Sequence, residues 1–275
     1  MSASERAGHG GHGLARAFSH GRPALVVYLM AGYPDRRSSL EALRGAADAG
    51  ADLIELGVPY ADPLADGPVI REAAEVARAA EGGFGLAETI ELAAEFLASA
   101  SIEATPPPPI ALMTYLNPLM RAGLPRVAQK LRGAGISGVI VPDMPLEAAG
   151  PWLAVAGAID TVMLAAPTST PERLSALGAA SSGFVYCVST TGVTGERAEL
   201  PTNLTDLVAR VKASTALPVA VGFGVSDAHQ AATVARHADG VIVGSAIVRK
   251  QDDPVGLAGF VRELADAVHG ARGAE

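Results

Sequence analysis

The sequence contains a single cysteine, Cys187, which lies inside the apolar run 184–188. One cysteine cannot form a disulfide within the chain, so the composition fits a reducing compartment. In such an apolar setting we expect a small buried hydrophobic side chain rather than a nucleophile. The sequence therefore does not favour a cysteine-dependent enzyme.

Long apolar runs and clusters of basic residues are also missing. No stretch approaches the ~18 apolar residues of a membrane span, and the amino terminus lacks the continuous apolar segment of a signal peptide. The formal net charge is −8, and no run of Lys or Arg could form a surface for nucleic acid. We therefore expect a soluble, cytoplasmic protein that binds neither membrane nor nucleic acid.

Lysine and histidine are scarce where two kinds of aldolase would need them. The three lysines, Lys130, Lys212 and Lys250, lie neither within a predicted strand nor directly after one. This argues against Schiff-base chemistry, which needs a lysine inside the site. The six histidines fall in the amino-terminal tail or in helical segments, so we expect no metal site.

What the sequence does have is a regular alternation of apolar, strand-length runs with amphipathic helical stretches. The predicted strands are 24–30, 52–56, 110–114, 138–141, 161–165, 184–189, 218–222 and 240–243, and helical stretches include 39–49, 146–156 and 204–213. Continuous apolar strands between helices predict a parallel sheet that is covered on both faces. Eight such units in 275 residues predict an α/β fold, a TIM (β/α)8 barrel; an open doubly wound sheet is the alternative.

The chain divides into a flexible tail, residues 1–13, and a single barrel domain, residues 14–275, which opens with a short helix over 14–19. Residues 67–100 contain enough helical sequence for two extra helices, split at 81–83. Residues 189–203 form a long Gly- and Thr-rich stretch after the sixth predicted strand. A loop of this length in a compact barrel is typical of a mobile lid or binding loop.

Two carboxylates near the second predicted strand are the candidates for chemistry. Glu55 interrupts the apolar strand formed with Ile54 and Leu56, and burial would raise its pKa towards neutrality, as suits a group that gives and takes a proton. Asp66 follows in a loop rich in Pro and Gly. At that position a helix cap before Gly67 is as good an interpretation as a functional group.

Glycine-rich turns follow the seventh and eighth predicted strands, at 222–226 and 243–247. Glycine lets backbone N–H groups approach an anion, and barrels commonly bind phosphate at these two loops. The two turns together favour a phosphorylated ligand.

At these positions the sequence resembles the tryptophan synthase alpha subunit family over nearly all of the chain, from about residue 24 to 261. The motifs that carry the resemblance are YLMAGYP (28–34), IELGVPYADPLADGP (54–68), MTYLNP (113–118), VPDMP (141–145), STTGVTG (189–195), GFG (222–224) and GSAIV (244–248). Their order along the chain makes the resemblance specific. It implies retro-aldol cleavage of indole-3-glycerol phosphate to indole and glyceraldehyde 3-phosphate, in L-tryptophan biosynthesis.

The resemblance also assigns roles to residues. Glu55 and Asp66 match the catalytic positions. The remaining positions comprise substrate-binding Tyr28, Tyr115, Tyr186, Thr194 and Phe223, phosphate-binding Gly195, Gly224, Gly244 and Ser245, and partner-facing Pro59 and Asp62. The implied partner is a beta subunit that carries pyridoxal phosphate, in an alpha2beta2 heterotetramer, and no cofactor is expected in this chain.

The sequence departs from the family at two places: Ala61 stands where Ser or Thr is usual, and Met30 where Thr is usual. Neither is a proton-transfer group. Three other functions remain open: a different phosphate-barrel enzyme, a non-catalytic sugar-phosphate-binding regulatory subunit, and a stand-alone lyase of the same chemistry. The first should have a catalytic lysine at a strand end, and the intact Glu55 and Asp66 argue against the second.

Overall fold

The computed structural model describes residues 13–80, 82–100, 106–188, 204–222 and 224–272. The strands in these ranges are β1 (Ala24–Met30), β2 (Leu53–Gly57), β3 (Ile110–Met113), β4 (Gly138–Ile140), β5 (Asp160–Val162), β6 (Leu164–Ala165), β7 (Val185–Val188), β8 (Val219–Gly222) and β9 (Gly240–Val243). The α-helices are Arg36–Asp48, Pro68–Ala79, Leu86–Ala100, Leu116–Ala122, Leu124–Gly133, Gly150–Ala156, Pro171–Ala180, Leu204–Ser214, Ala228–Ala235, Ser245–Val248 and Pro254–Gly270.

The strands form one parallel sheet in the order β5-β4-β3-β2-β1-β9-β8-β7-β6. Its two end strands, β5 and β6, follow each other in the chain with only Met163 between them. The sheet therefore returns on itself and forms a barrel, which confirms the predicted (β/α)8 fold and excludes the open sheet. In a barrel of this kind, the carboxyl ends of all strands meet at one rim, where the active site is expected.

The fifth predicted strand, 161–165, is observed as two pieces rather than one. The backbone N–H of Met163 donates to the Ser181 Oγ (3.1 Å) instead of to a neighbouring strand. The Met163 carbonyl accepts from the Tyr186 N–H (3.1 Å), so the barrel wall stays connected at the break. This side-chain contact from outside the strand is the reason for the interruption.

The apolar side chains divide into two layers because successive strand residues face opposite sides of the sheet. The outer layer, which includes Val27 and Ile54, packs against the helices. The inner layer fills the barrel and includes Val26, Leu53 and Ile242. A polar side chain on an inward-facing strand position is therefore enclosed by the barrel.

A 3₁₀ helix, Gly13–Phe18, closes the amino-terminal end of the barrel. Leu14 is fully buried there, and its backbone N–H donates to the Asp160 carboxylate (2.8 Å). The space it occupies exists because Gly138 has no side chain: a Cβ at that glycine would lie 2.4 Å from a Leu14 methyl carbon. The short opening helix expected over 14–19 is thus present as a plug of the barrel floor.

The helices follow the predictions with one correction. Two extra helices occupy the region 67–100, on either side of a break after Ala79. The stretch 146–156, predicted as one helix, is a 3₁₀ turn at Leu146–Ala148 and a separate helix from Gly150. Pro151 explains the break, because it has no N–H to continue the ladder and is suited to a first helical turn. The predicted loop 189–203 and the tail residues 1–12 lie outside the described residues.

Candidate active site

Glu55 points into the barrel from β2, next to Tyr28 of β1. The two residues are paired in the register of the parallel strands. The Glu55 side chain is 1% exposed, and within the described residues its Oε2 is a fully buried polar atom with no hydrogen-bond partner. Because leaving such an atom unsatisfied costs free energy, it is the kind of group that is kept for a ligand.

The surroundings of Glu55 change its acidity. Burial, and then the nearby charge of Asp66, raise the pKa of Glu55 to about 8. A carboxyl group with this pKa holds its proton at neutral pH and can act as a general acid.

Asp66 lies in the loop after β2 and is 6% exposed. Burial raises its pKa to about 6, although a hydrogen bond from the Tyr115 hydroxyl and the charge of Arg71 act in the opposite direction. It does not cap the following helix, because the N-cap is Gly67 and has no side-chain cap. The structure therefore removes the helix-cap interpretation of Asp66 and places its carboxylate near Glu55.

Two of the expected substrate-binding tyrosines, Tyr28 and Tyr186, extend across the barrel interior over a glycine of the next strand. A Cβ at Gly57 would lie 2.1 Å from the Tyr28 hydroxyl oxygen, and one at Gly222 would lie 2.2 Å from that of Tyr186. Both glycines are required because any other residue would displace the ring above it. Burial and the charges of both carboxylates raise the pKa of each tyrosine, so these rings face the same space as Glu55 and Asp66.

The expected phosphate-binding glycines lie at the ends of β8 and β9. Gly224 has φ +90°, a conformation that other residues rarely adopt. Gly244 precedes the buried Ser245. It lies close to Tyr28, because a Cβ built on Gly244 would lie 3.8 Å from the Cβ of Tyr28. These two turns and the carboxylates therefore share one rim. Thr194, Gly195 and Phe223 lie outside the described residues.

The expected partner-facing residues border two surface clefts beside the catalytic loop. Pro59 lines a cleft of about 630 Å³, and Asp62 lines an adjoining one of about 340 Å³. Tyr60 lines both, and its ring stacks on Tyr115 with centroids 5.2 Å apart. The Tyr115 hydroxyl also donates a hydrogen bond to Asp66. A chain of side-chain contacts, Tyr60 to Tyr115 to Asp66, therefore connects the clefts with a candidate catalytic group.

The larger of the two clefts is basic. The described residues that line it include four cationic side chains and no carboxylate: Arg78, Arg121, Arg126 and Lys130. The chain as a whole has a net charge of −8, so the positive charge of this cleft is opposite in sign to that of the protein.

The lysines lie away from the barrel interior. Lys212 pairs with Asp239 (2.8 Å) on the outside of the barrel, and the Lys250 ammonium lies 5.2 Å from the centre of the Phe260 ring. The described part of the chain contains no group of three or more His, Cys, Asp or Glu side chains that could hold a metal. Among the helices in the described ranges, none has the length and apolar character needed to cross a membrane.

Three residues near the site were not found from the sequence. Arg71 acts on Asp66 through its charge, Tyr60 stacks on Tyr115, and Gln251 holds the end of β1. Tyr60 lies inside the motif 54–68, and its aromatic side chain is the signal that could identify it. Nothing in the local sequence marks Gln251, since its contacts are about 220 positions away.

The parallel barrel is closed, and buried carboxyl groups and glycine turns meet at its carboxyl-terminal rim. These features together define a (β/α)8-barrel enzyme. A family model described as "Tryptophan synthase alpha chain" matches residues 14–265. The chain belongs to this family, and it is accordingly a lyase of tryptophan biosynthesis.

Individual relatives agree with the family model. The chain is 47% identical to a tryptophan synthase alpha chain of Chloroflexus aurantiacus, over 92% of this chain and 96% of that one. It is 44% identical to one of Streptomyces coelicolor, over 94% and 95%. Its structure resembles Mycobacterium tuberculosis tryptophan synthase with a TM-score of 0.84 and 41% identity, covering 93% of this chain and 98% of that one.

A second similar structure belongs to the tryptophan synthase α2β2 complex of Pyrococcus furiosus. The TM-score is 0.78 and the identity 39%, with 88% of this chain and 98% of that chain covered.

Proposed function

We propose that the chain cleaves indole-3-glycerol phosphate to indole and glyceraldehyde 3-phosphate. The observation that carries the proposal is Glu55, a buried carboxyl group whose Oε2 has no hydrogen-bond partner among the described residues. Its pKa is raised to about 8, and the lysines lie away from the barrel interior. Retro-aldol cleavage without a lysine or a metal needs such an acid, because the aromatic ring must itself accept the bonding electrons.

Glu55 carries out the proton transfers. Its carboxyl group protonates indole C3, which turns the ring into an iminium-like electron acceptor. The bond from C3 to the hydroxylated carbon then breaks, its electrons move into the ring, and the hydroxyl loses its proton to the Glu55 carboxylate as the aldehyde forms. The group returns to its initial protonated state, so one residue serves both steps.

Asp66 stabilises the charge that develops on the ring. With a pKa of about 6, it is mostly ionised at neutral pH and can accept a hydrogen bond from the indole N–H as that group becomes more acidic. The two carboxyl groups therefore hold different protonation states in one site, which is the arrangement that an acid and an electrostatic stabiliser need.

The remaining residues bind and orient the substrate. Tyr28, Tyr115 and Tyr186 line the space beside the carboxylates, and Thr194 and Phe223 are proposed to complete it. The backbone N–H groups at Gly224, Gly244 and Ser245 are proposed to bind the phosphate, together with Gly195. Binding at a phosphate that does not react helps to orient the bond that does.

The proposed partner is a beta subunit in an alpha2beta2 heterotetramer, with Pro59 and Asp62 at the contact. The support is family membership, together with a similar structure from an α2β2 complex. Pyridoxal phosphate does not fit this chain, because a Schiff base needs a lysine in the site. Lys212 and Lys250 are engaged elsewhere, and Lys130 lines the surface cleft. We therefore assign that cofactor to the partner.

The test is indole release by the purified chain, with and without a beta subunit. We expect Glu55→Gln and Asp66→Asn each to lower kcat by at least about a hundredfold, the scale for removing an acid–base group. Cys187→Ala is the matched buried control and should retain activity. Near-normal indole release by either carboxylate variant, with the fold intact, would show that the assignment is wrong.

A further inference from the structure

Gln251 is fully buried and uses all of its side-chain hydrogen-bonding groups on one segment. Its Oε1 accepts from the Met30 N–H (2.9 Å). Its Nε2 donates to the carbonyls of Met30 (2.7 Å) and Tyr33 (2.9 Å). A buried amide satisfied in this way is rigidly held, because each of its bonds would be costly to break.

The position of these bonds has a specific effect on β1. On one side, β1 pairs with β2 as far as Met30. On the other side, the pairing with β9 ends three residues earlier, at Val27 and Val243. Gln251 bonds both the N–H and the carbonyl of Met30, as a strand would, so it replaces β9 where that strand has already turned away.

The other end of the connection is the turn after β9. From Gly244 to Gln251 the backbone is continuously hydrogen-bonded: Val248 N–H to the Gly244 carbonyl (3.1 Å), and Gln251 N–H to the Val248 carbonyl (3.2 Å). These hydrogen bonds make the segment rigid. The bonds between Gln251 and Met30 therefore also fix the position of Gly244 and Ser245 relative to β1. Strand β1 also carries Tyr28, which is paired with Glu55 of β2.

We propose that Gln251 is a positioning residue that holds the Gly244–Ser245 turn at the distance from Tyr28 that a phosphorylated substrate requires. The inference rests on the proposed function, because it takes this turn as the phosphate site. Gln251 touches no substrate; it acts through the backbone of Met30 and of the short helix Ser245–Val248.

The first variant is Gln251→Met, which keeps the length of the side chain and removes all three hydrogen bonds. We expect KM for indole-3-glycerol phosphate to rise about tenfold, as for the loss of one to two hydrogen bonds, and kcat to stay within about twofold. Competitive inhibition by inorganic phosphate should weaken by the same factor, since phosphate binds at the phosphate site without contacts from the rest of the substrate.

The matched control is Thr161→Val. It removes a buried bond of the same kind, from the Trp152 Nε1 to the Thr161 Oγ1 (2.9 Å), on the opposite side of the barrel. It should lower the thermal midpoint without changing KM or phosphate inhibition. An equal change of KM in both variants would mean that Gln251 contributes only stability, and the proposal would be overturned.

Gln251→Glu supplies a readout that loss of stability does not produce. Its oxygen can still accept from Met30, but an ionised carboxylate would face two carbonyls, whereas a protonated one donates to one of them. The ratio of its KM to that of the wild type should therefore fall as the pH is lowered from 8 to 6, while the ratio for Gln251→Met stays constant. A pH-independent ratio, or an unchanged KM in the variant that folds, would contradict the proposal.

Phosphate binding by calorimetry separates this inference from the proposed function. If the wild type binds phosphate but releases no indole, the proposed reaction fails, and the comparison of phosphate affinity between wild type and variants still decides the role of Gln251.

Discussion

At the scale of single residues, the site depends on two carboxyl groups with different acidities. Glu55 is enclosed on an inward-facing strand position and has a pKa of about 8. Asp66 sits at the rim, where Tyr115 and Arg71 partly offset the effect of burial and its pKa is about 6. Between these two values one group is protonated and the other ionised, which is the state that the proposed mechanism needs.

A bell-shaped pH dependence of kcat/KM is therefore expected. Activity should fall below about pH 6 as Asp66 is protonated, and above about pH 8 as Glu55 ionises. Arg71→Gln should move the acid limb to higher pH, because the Arg71 charge holds the Asp66 pKa down, and should leave the alkaline limb in place. A profile that is flat between pH 5 and 9 would count against both assignments.

The same burial makes Glu55 costly for stability. Its pKa is higher in the folded chain than in the unfolded one, so its contribution to stability is fully present below about pH 4.5 and is lost as the pH rises to about 8. Glu55→Gln, which is inactive in the proposed mechanism, should be more stable than the wild type at pH 8, by on the order of a few kcal/mol. Urea unfolding at pH 5 and pH 8 measures this; a difference that does not grow with pH would refute it.

At the scale of elements, the 3₁₀ helix Gly13–Phe18 supplies the floor of the barrel. Leu14 enters the space that Gly138 leaves open, and Phe18 packs on Phe184 with ring centroids 5.3 Å apart. The candidate site lies at the opposite end of the strands. We therefore expect this 3₁₀ helix to stabilise the fold and to take no part in the reaction.

Leu14→Ala should therefore separate the two properties. Removing a fully buried leucine should lower the free energy of unfolding by about 2–5 kcal/mol. KM and kcat of the folded enzyme should stay within about twofold of the wild type. The control Val255→Ala changes a side chain that is 84% exposed and should have little effect; a large rise of KM in Leu14→Ala would place the floor in contact with the site.

At the scale of the whole molecule, Asp52, whose side chain is 6% exposed, ties distant parts of the chain together. Asp52 accepts hydrogen bonds from Arg22 (2.9 and 3.0 Å) and from the Leu25 N–H (2.8 Å), and its other contact is His269 in the last helix (2.8 Å). Burial opposes its ionisation, but the bonds from His269, Arg22 and Leu25 outweigh it and keep the pKa of Asp52 below its usual value. The carboxyl-terminal helix is thereby fixed to the start of the barrel.

A depressed carboxyl pKa gives stability that is present above about pH 3.8 and is lost as the pH falls through the folded value. Asp52→Asn should therefore lower the free energy of unfolding at pH 7 by about 2 kcal/mol, and the difference should shrink towards pH 3. The control Glu41→Gln breaks the exposed pair with Arg37 and should cost less than about 0.5 kcal/mol. Equal losses in the two variants would contradict this role of Asp52.

The sequence by itself determined the barrel and the first carboxylate. Strands such as β1 and β9 were predicted with the bounds that are observed, because strands covered on both faces must be continuously apolar. Glu55 was identifiable for the same reason: a charge in such a strand has no solvent to face. The break at Met163 and the restart at Gly150 were not anticipated, since they depend on a contact from Ser181 and on where a proline falls within a turn.

Only the tertiary structure decided how the site is assembled. Whether Asp66 caps a helix or joins Glu55 depended on the backbone of the loop, which made Gly67 the cap. The effect of the Arg71 charge on Asp66 and the hydrogen bonds of Gln251 with Met30 could not be predicted from the local sequence, because both act through space between groups that the folded chain brings together. Periodicity reports which side of an element is buried; it carries no information on which buried groups meet.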